Sequence, residues 1–327
     1  MSLHIIKEFL NAGKNIRKQP MMRRVLFSLL PIILFSIYLY GWRVLALLTV
    51  ISISGVITEH FFERTRKSRP SDSVLVTCFL FSLVLPITIP FWIAIVGIVF
   101  AVVFGKQVFG GFARNVFNPA LTGRCFIYIS FPAFMTNEWV KPFSGFPGGF
   151  IKWMPNKIDA VVQATPMTMA QLGERIPYSI GQMIAGNIPG SIGESGVILI
   201  VLAAGYLIYK KTASWQIMVS TLIGMLSMES IFFILGISSF DNPLMALISG
   251  GFLFAMVFMA TDPISAPSQA KIKIIFGLLV GMIATVIRNF SIFPEGIMFA
   301  ILIVNSFVPL MDSMAKRAKV GVKEVAS

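Results

Sequence analysis

The sequence predicts an all-α polytopic membrane protein with about ten transmembrane helices, cytoplasmic N- and C-termini, and one long outer loop between spans five and six. Three observations carry that expectation. Of 327 residues, 56% are hydrophobic and only 13% are charged, which is too little polar surface for a soluble domain of this length. Apolar runs recur from end to end and raise the mean hydropathy to +0.82. The lysines and arginines are distributed unevenly between alternate loops.

The elements follow in order. A basic tail, residues 1–24, runs into span one at 25–40 with no small-residue cleavage site, so no cleaved leader is expected. Gly41 separates it from span two, 43–58. The loop "ERTRKSRP", ending at Pro70, leads to span three at 73–88. Pro90 opens span four, 90–104, Gly105 closes it, and span five covers 121–135. Residues 136–195 form the one sizeable polar excursion, and long loops in compact proteins tend to be functional. The membrane region then resumes over 196–313, with spans at 196–210, 214–236, 243–260, 273–289 and 295–312. Pro243 and Pro294 mark two of its joins, and a basic tail, 314–327, closes the chain. Several spans are short for a bilayer, so tilted, broken or neighbour-shielded helices are expected.

With the N-terminus inside, 21 of the 27 lysines and arginines fall on the inner side. Arg43, Lys141, Lys152, Lys157, Arg175 and Arg288 fall outside, four of them in the long loop, where the rule is weak. The net charge of +13 is therefore an orientation signal, and no nucleic-acid partner is expected. Cys78 and Cys125 are far apart, with no disulfide framework or iron–sulfur spacing. With His4 and His60 as the only histidines, a bis-histidine haem in the bundle is not expected. There is no Walker loop, zincin helix or dinucleotide fingerprint, and no catalytic side chain or metal centre is expected.

Five stretches carry candidate function. "GNIPGSIGESG" (186–196) reads first as a re-entrant turn into span six, and second as backbone N–H groups offered to a phosphate. "GGFARNVFNPALTG" (110–123) and "GGFLFAMVFMATDPISAP" (250–267) each place a double glycine before an Asn-Pro or Asp-Pro helix start. Asn118 and Asp262 suit helix caps there; alternatively, irregular backbone at membrane depth lines a site, where Asn115 and Asn118 meet a polar heterocycle. Glu229, Asp312 and Asp72 are carboxylates at or near membrane depth and thus candidates for ion handling, the bland alternative being a local partner such as a serine or arginine. Thr165 in "DAVVQATPMTMA" (159–170) is a good N-cap before Pro166. On physics alone, a secondary transporter without redox chemistry also fits these features.

"FNPALTGRCFIYISFPAFMT", "DAVVQATPM", "GNIPGSIGE", "FMATDPISAP" and "PEGIMFAILIVNSFVPLMD", in this order, resemble the RnfD/NqrB family over about residues 22–314. These are membrane subunits of the Rnf complex and of the sodium-pumping NADH:quinone oxidoreductase. The resemblance implies FMN joined by a phosphodiester to Thr165, within a motif formed by Asp159, Val162, Gln163, Ala164 and Thr165. Val162 and Gln163 stand where that motif usually has a hydroxyl residue and glycine. It also implies riboflavin near the inner face at Asn115 and Asn118, and an ion path that includes Asp262 and Asp312. The implied function is electron relay in a redox-driven Na⁺ or H⁺ pump of the bacterial inner membrane. The implied partners are a second flavoprotein subunit, iron–sulfur subunits, an NADH- or NAD-binding subunit and a flavin transferase. Chain length, "ISFPAFMT" and the proline of "ISAP" point to the RnfD branch, which serves a ferredoxin:NAD⁺ system; "NPALTGR" and "GNIPGSIGE" point to the NqrB branch of the quinone reductase, the alternative.

Overall fold

The computed structural model describes residues 17–136, 139–143, 145–153, 164–291, 293 and 295–325, with side chains as far as 317. Every described span is helical, in the order expected. The first hairpin is α1 (Pro20–Tyr40) and α2 (Arg43–Thr65), turned at Gly41–Trp42. Then come α3 (Asp72–Leu83), α4 (Phe91–Val102, extended by a π-turn over Val103–Gln107), α5 (Pro119–Ser130) and the short α6 (Pro132–Thr136). The excursion contributes α7 (Pro166–Gln171) and α8 (Ile180–Ile184). The second half is α9 (Val197–Tyr209), α10 (Trp215–Ile234), α11 (Pro243–Ile248), α12 (Phe252–Phe258), α13 (Ala270–Phe290) and α14 (Gly296–Val325).

Five helices are long and apolar enough to cross a membrane: α1, α2, α10, α13 and the Gly296–Arg317 part of α14. The other spans are shorter, as expected of broken helices. Span three stops at Leu83, and span eight is two helices, α11 and α12, parted at Ser249–Gly251. Such breaks leave backbone carbonyls without helical partners. Two buried arginines answer them. Arg43 Nε donates to Ile87 O at 2.7 Å, and its Nη2 donates to Ile89 O at 3.1 Å. Arg288 Nη1 donates to Ala246 O at 2.8 Å, and its Nη2 donates to Ser249 O at 3.1 Å. Elsewhere small residues allow close packing: α10 and α13 approach backbone to backbone where Gly224 meets Leu278 and Gly281 meets Thr221.

The two ends of the bundle differ. At one end Arg23 pairs with Asp72 at 2.8 Å, Arg24 Nη1 donates to Lys210 O at 2.9 Å, and Lys273 Nζ donates to Ser214 Oγ at 2.7 Å. At the other, the excursion covers the turns between spans. Phe143 N donates to Leu39 O at 2.8 Å, and Gln171 Nε2 donates to Arg288 O at 2.8 Å. Two expectations change here. Residues 187–196 are not an outer loop but an inserted segment, buried apart from the half-buried Asn187 and Glu194. Lys106 and Arg124, assigned by position to the inner face, are buried within the protein and paired to Glu59 and Glu295.

Candidate functional site

Two clefts gather most of the sequence candidates, one at each end. The cleft at the excursion end is bordered by Trp139, Thr165, Glu194, Ser195, Gly250 and Glu295. Pro166 occupies the first position of α7, and Thr165 is its N-cap, in extended backbone at φ −72° and ψ 157°. The Thr165 oxygen accepts from Thr168 N at 3.2 Å and lies 2.9 Å from the Thr168 hydroxyl. Ala164 is half-buried beside it, while Asp159, Val162 and Gln163 lie outside the described residues.

The floor of this cleft is the inserted segment. Ile192 N donates to Leu85 O at 3.1 Å, and Gly193 N donates to Leu83 O at 2.7 Å, so the segment closes the broken end of α3. Ser36 Oγ donates to Ile192 O at 2.8 Å, and the Tyr40 and Ser195 hydroxyls lie 3.1 Å apart, which ties the segment to α1. Ser191 N donates to Glu194 Oε2 at 3.4 Å. These three N–H groups are used inside the protein. The re-entrant reading of "GNIPGSIGESG" therefore holds, and the phosphate-cradle reading does not. Gly186 sits at φ +76°, where a side chain would run into the Ser195 carbonyl.

Charge collects around that floor. Arg124 on α5 pairs with Glu295, and Arg124 Nη2 donates to Ser191 Oγ at 3.4 Å. The Ser191 hydroxyl donates to Glu194 Oε1 in a short bond. Arg288 lies within Coulomb reach of Glu194 and Glu295. Residue reasoning did not single out Glu194, Glu295 or Arg124 as a group. The available signal was Arg124 itself, a charge inside the apolar run 121–135, where such residues default to function.

The second cleft, at the basic end, brings Asn115, Asn118 and Asp262 together with Lys106 and Ser73 among apolar Leu80, Val257 and Phe258. Asn118 caps α5: its Oδ1 accepts from Ala120 N at 3.0 Å and Leu121 N at 3.3 Å, and its Nδ2 reaches Met259 O at 3.5 Å. Asn115 Nδ2 donates to Phe117 O at 3.0 Å. Asp262 closes its own turn, accepting from Ser265 Oγ at 2.9 Å and Ile264 N at 3.4 Å. Thus the caps foreseen at Asn118 and Asp262 form, and their side chains also face the cleft.

The carboxylates singled out for ion handling do not converge. Asp312 accepts from Ser268 Oγ at 3.0 Å at the basic end. Glu229 is buried at the opposite end, accepting from Ser238 Oγ at 2.6 Å and Asn289 Nδ2 at 3.1 Å. A serine is thus its partner, the bland alternative for that residue. Asp72 is buried but neutralised by Arg23.

A sequence model of the NQR2, RnfD, RnfE family matches residues 8–321. The chain belongs to this family. Among curated relatives, the B chain component of the Na(+)-translocating NADH-quinone reductase of Klebsiella pneumoniae subsp. pneumoniae (NqrB) is 37% identical over 278 residues, covering 82% of this chain and 65% of the relative. The protein of the same name from Chromohalobacter salexigens is 38% identical over 277 residues, covering 81% and 64%. That from Yersinia pestis is 37% identical over 287 residues, covering 84% and 67%. The chain therefore spans about two thirds of the length of the relatives it matches. Family membership and the apolar helices make it a multi-pass protein of the bacterial inner membrane. Of the two complexes suggested by the motifs, the names of these relatives favour the quinone reductase over Rnf.

Proposed function

We propose that this chain is the NqrB-type membrane component of a Na⁺-translocating NADH:quinone oxidoreductase, carrying FMN on Thr165 and relaying electrons between the two faces of the membrane. The observation that carries the reading is the similarity to NqrB relatives across more than four fifths of this chain. An Rnf-type complex is the second reading, favoured by "ISFPAFMT" and the proline of "ISAP".

The residues present fit the two cofactors. Thr165 is half-buried and borders an open-edged cleft, so its oxygen is within reach of a modifying enzyme. In its cap that oxygen accepts from Thr168 N, so losing its proton to an ester leaves the cap's direction intact. At the basic end, amide, carboxylate and ammonium groups rim an apolar cleft, a donor set suited to the polar edge of a riboflavin ring. Bound flavins supply one-electron transfer. The protein attaches them, sets their spacing and surrounds them with low dielectric. Asp262 and Asp312 are the ion-path candidates at the basic end, and Glu229 is the candidate at the other. The partners on this reading are the remaining subunits of the complex and the flavin transferase.

A denaturing gel viewed under ultraviolet light tests the core of this proposal. Protein from cells that contain the transferase is expected to fluoresce, and Thr165→Ala protein to be dark. A dark wild-type band, or a Thr165→Ala band of equal brightness, overturns it and returns the secondary-transporter reading. Co-purified subunits separate the complexes: a ferredoxin-type iron–sulfur protein marks Rnf.

A further inference from the structure

We propose that Glu194 is the residue whose charge sets the reduction potential of the cofactor on Thr165. This rests on the attachment reading above and goes beyond it by naming the group that tunes the attached flavin. Three observations carry it. Glu194 and Thr165 border one cleft. Of the two carboxylates in that cleft, Glu295 is neutralised by Arg124, whereas among the described residues no cation forms an ion pair with Glu194. Glu194 is also held in place: Ser191 donates to it from both N and Oγ, and the carboxylate lies so close to the α11–α12 break that a Cβ on Gly251 would sit 2.8 Å from its Oε1. A larger residue at Gly251 would displace the carboxylate.

The physical consequence has one sign. Reduction adds an electron to the attached ring. A fixed carboxylate on the same half-buried cleft repels that added charge far more strongly than it would in water. It therefore lowers the potential, and removing it raises the potential. Arg288 lies within Coulomb reach and offsets part of the effect, but its donors are committed to Ala246 O and Ser249 O. Tuning by a fixed charge keeps the first carrier low enough to pass its electron onward. It also makes the added negative charge the event that a translocated cation compensates.

The test is a spectroscopic titration of the protein-bound flavin in the purified complex, with in-gel fluorescence confirming attachment in each variant. Glu194→Gln, which keeps size and hydrogen bonding, is expected to raise the midpoint potential. Glu194→Asp is expected to keep it near wild type. Glu229→Gln, at the same end but outside the cleft, is expected to move it much less. Ser191→Ala strips the hydroxyl donor from the carboxylate and is expected to lower the potential, which provides a second readout should Glu194→Gln fail to assemble. An attached flavin whose potential is the same in Glu194→Gln and wild type, or as strongly moved by Glu229→Gln, overturns the proposal while leaving attachment intact. A wild-type protein without fluorescence overturns the attachment reading itself.

Discussion

Replacing Lys106 by methionine is expected to damage this protein more than removing its whole ion pair. Lys106 and Glu59 are 2% and 1% exposed, and Nζ donates to Glu59 Oε2 at 2.6 Å. At an effective dielectric of about 20, unit charges that close attract by about 6 kcal/mol, an attraction largely offset by the desolvation of both ions. The net value of the pair is thus small, but the cost of halving it is not. In Lys106→Met, Glu59 keeps only Ser71 N at 3.0 Å and Ser71 Oγ at 3.2 Å as donors, and Ser73 Oγ loses the donor now 2.7 Å away. Stranding a buried carboxylate in this way costs about 3–5 kcal/mol. At about 2–3 °C per kcal/mol, the thermal midpoint in detergent should fall by roughly 5–15 °C. The double variant Lys106→Met, Glu59→Leu should return to within about 1–2 kcal/mol of wild type, because two matched apolar chains replace two matched ions. The assay is the monodisperse peak on size exclusion after heating aliquots across a temperature series. A single variant that melts with wild type, or a double variant as damaged as the single, refutes the reasoning.

Two further outcomes separate structural from functional roles. Asn118→Ala is expected to cost about 1 kcal/mol through loss of the α5 cap, whereas Asn118→Asp keeps an N-cap oxygen and costs less. If Asn118 also holds riboflavin, both variants lose non-covalent flavin, measured by extraction and chromatography; retention in either removes Asn118 from that role. Asp262→Asn combined with Asp312→Asn is expected to fold, since each side chain accepts from a nearby serine that an amide oxygen can also serve. The double variant should nonetheless lose redox-driven Na⁺ uptake in proteoliposomes, and undiminished uptake excludes both residues from the ion path.

Most of the fold was legible in the sequence, because bilayer thickness fixes helix length and the basic loops fix alternation. Caps were legible for the same local reason: Asn118, Thr165 and Asp262 each stand next to a proline or turn that announces the helix start. What stayed hidden was which charge meets which. Arg124 and Glu295 are 171 positions apart, and Ser191 joins them from a third segment, so no periodicity links them. The inserted segment was read as a turn, but its depth depends on α3 stopping at Leu83, a break that an unbroken apolar run conceals. There is nevertheless a physical rule that recovers part of the missing information. A helix that breaks at membrane depth strands carbonyls that neither lipid nor a distant helix can satisfy. A cation in an otherwise apolar run is therefore the complement of a break elsewhere. Arg43 answers the carbonyls of 87–89, and Arg288 answers those of 246 and 249. By the same rule, Glu194 stands out: it lies against the Gly250–Gly251 break without a cation to neutralise it, and that uncompensated charge is what makes the Thr165 cleft a place where added electrons matter.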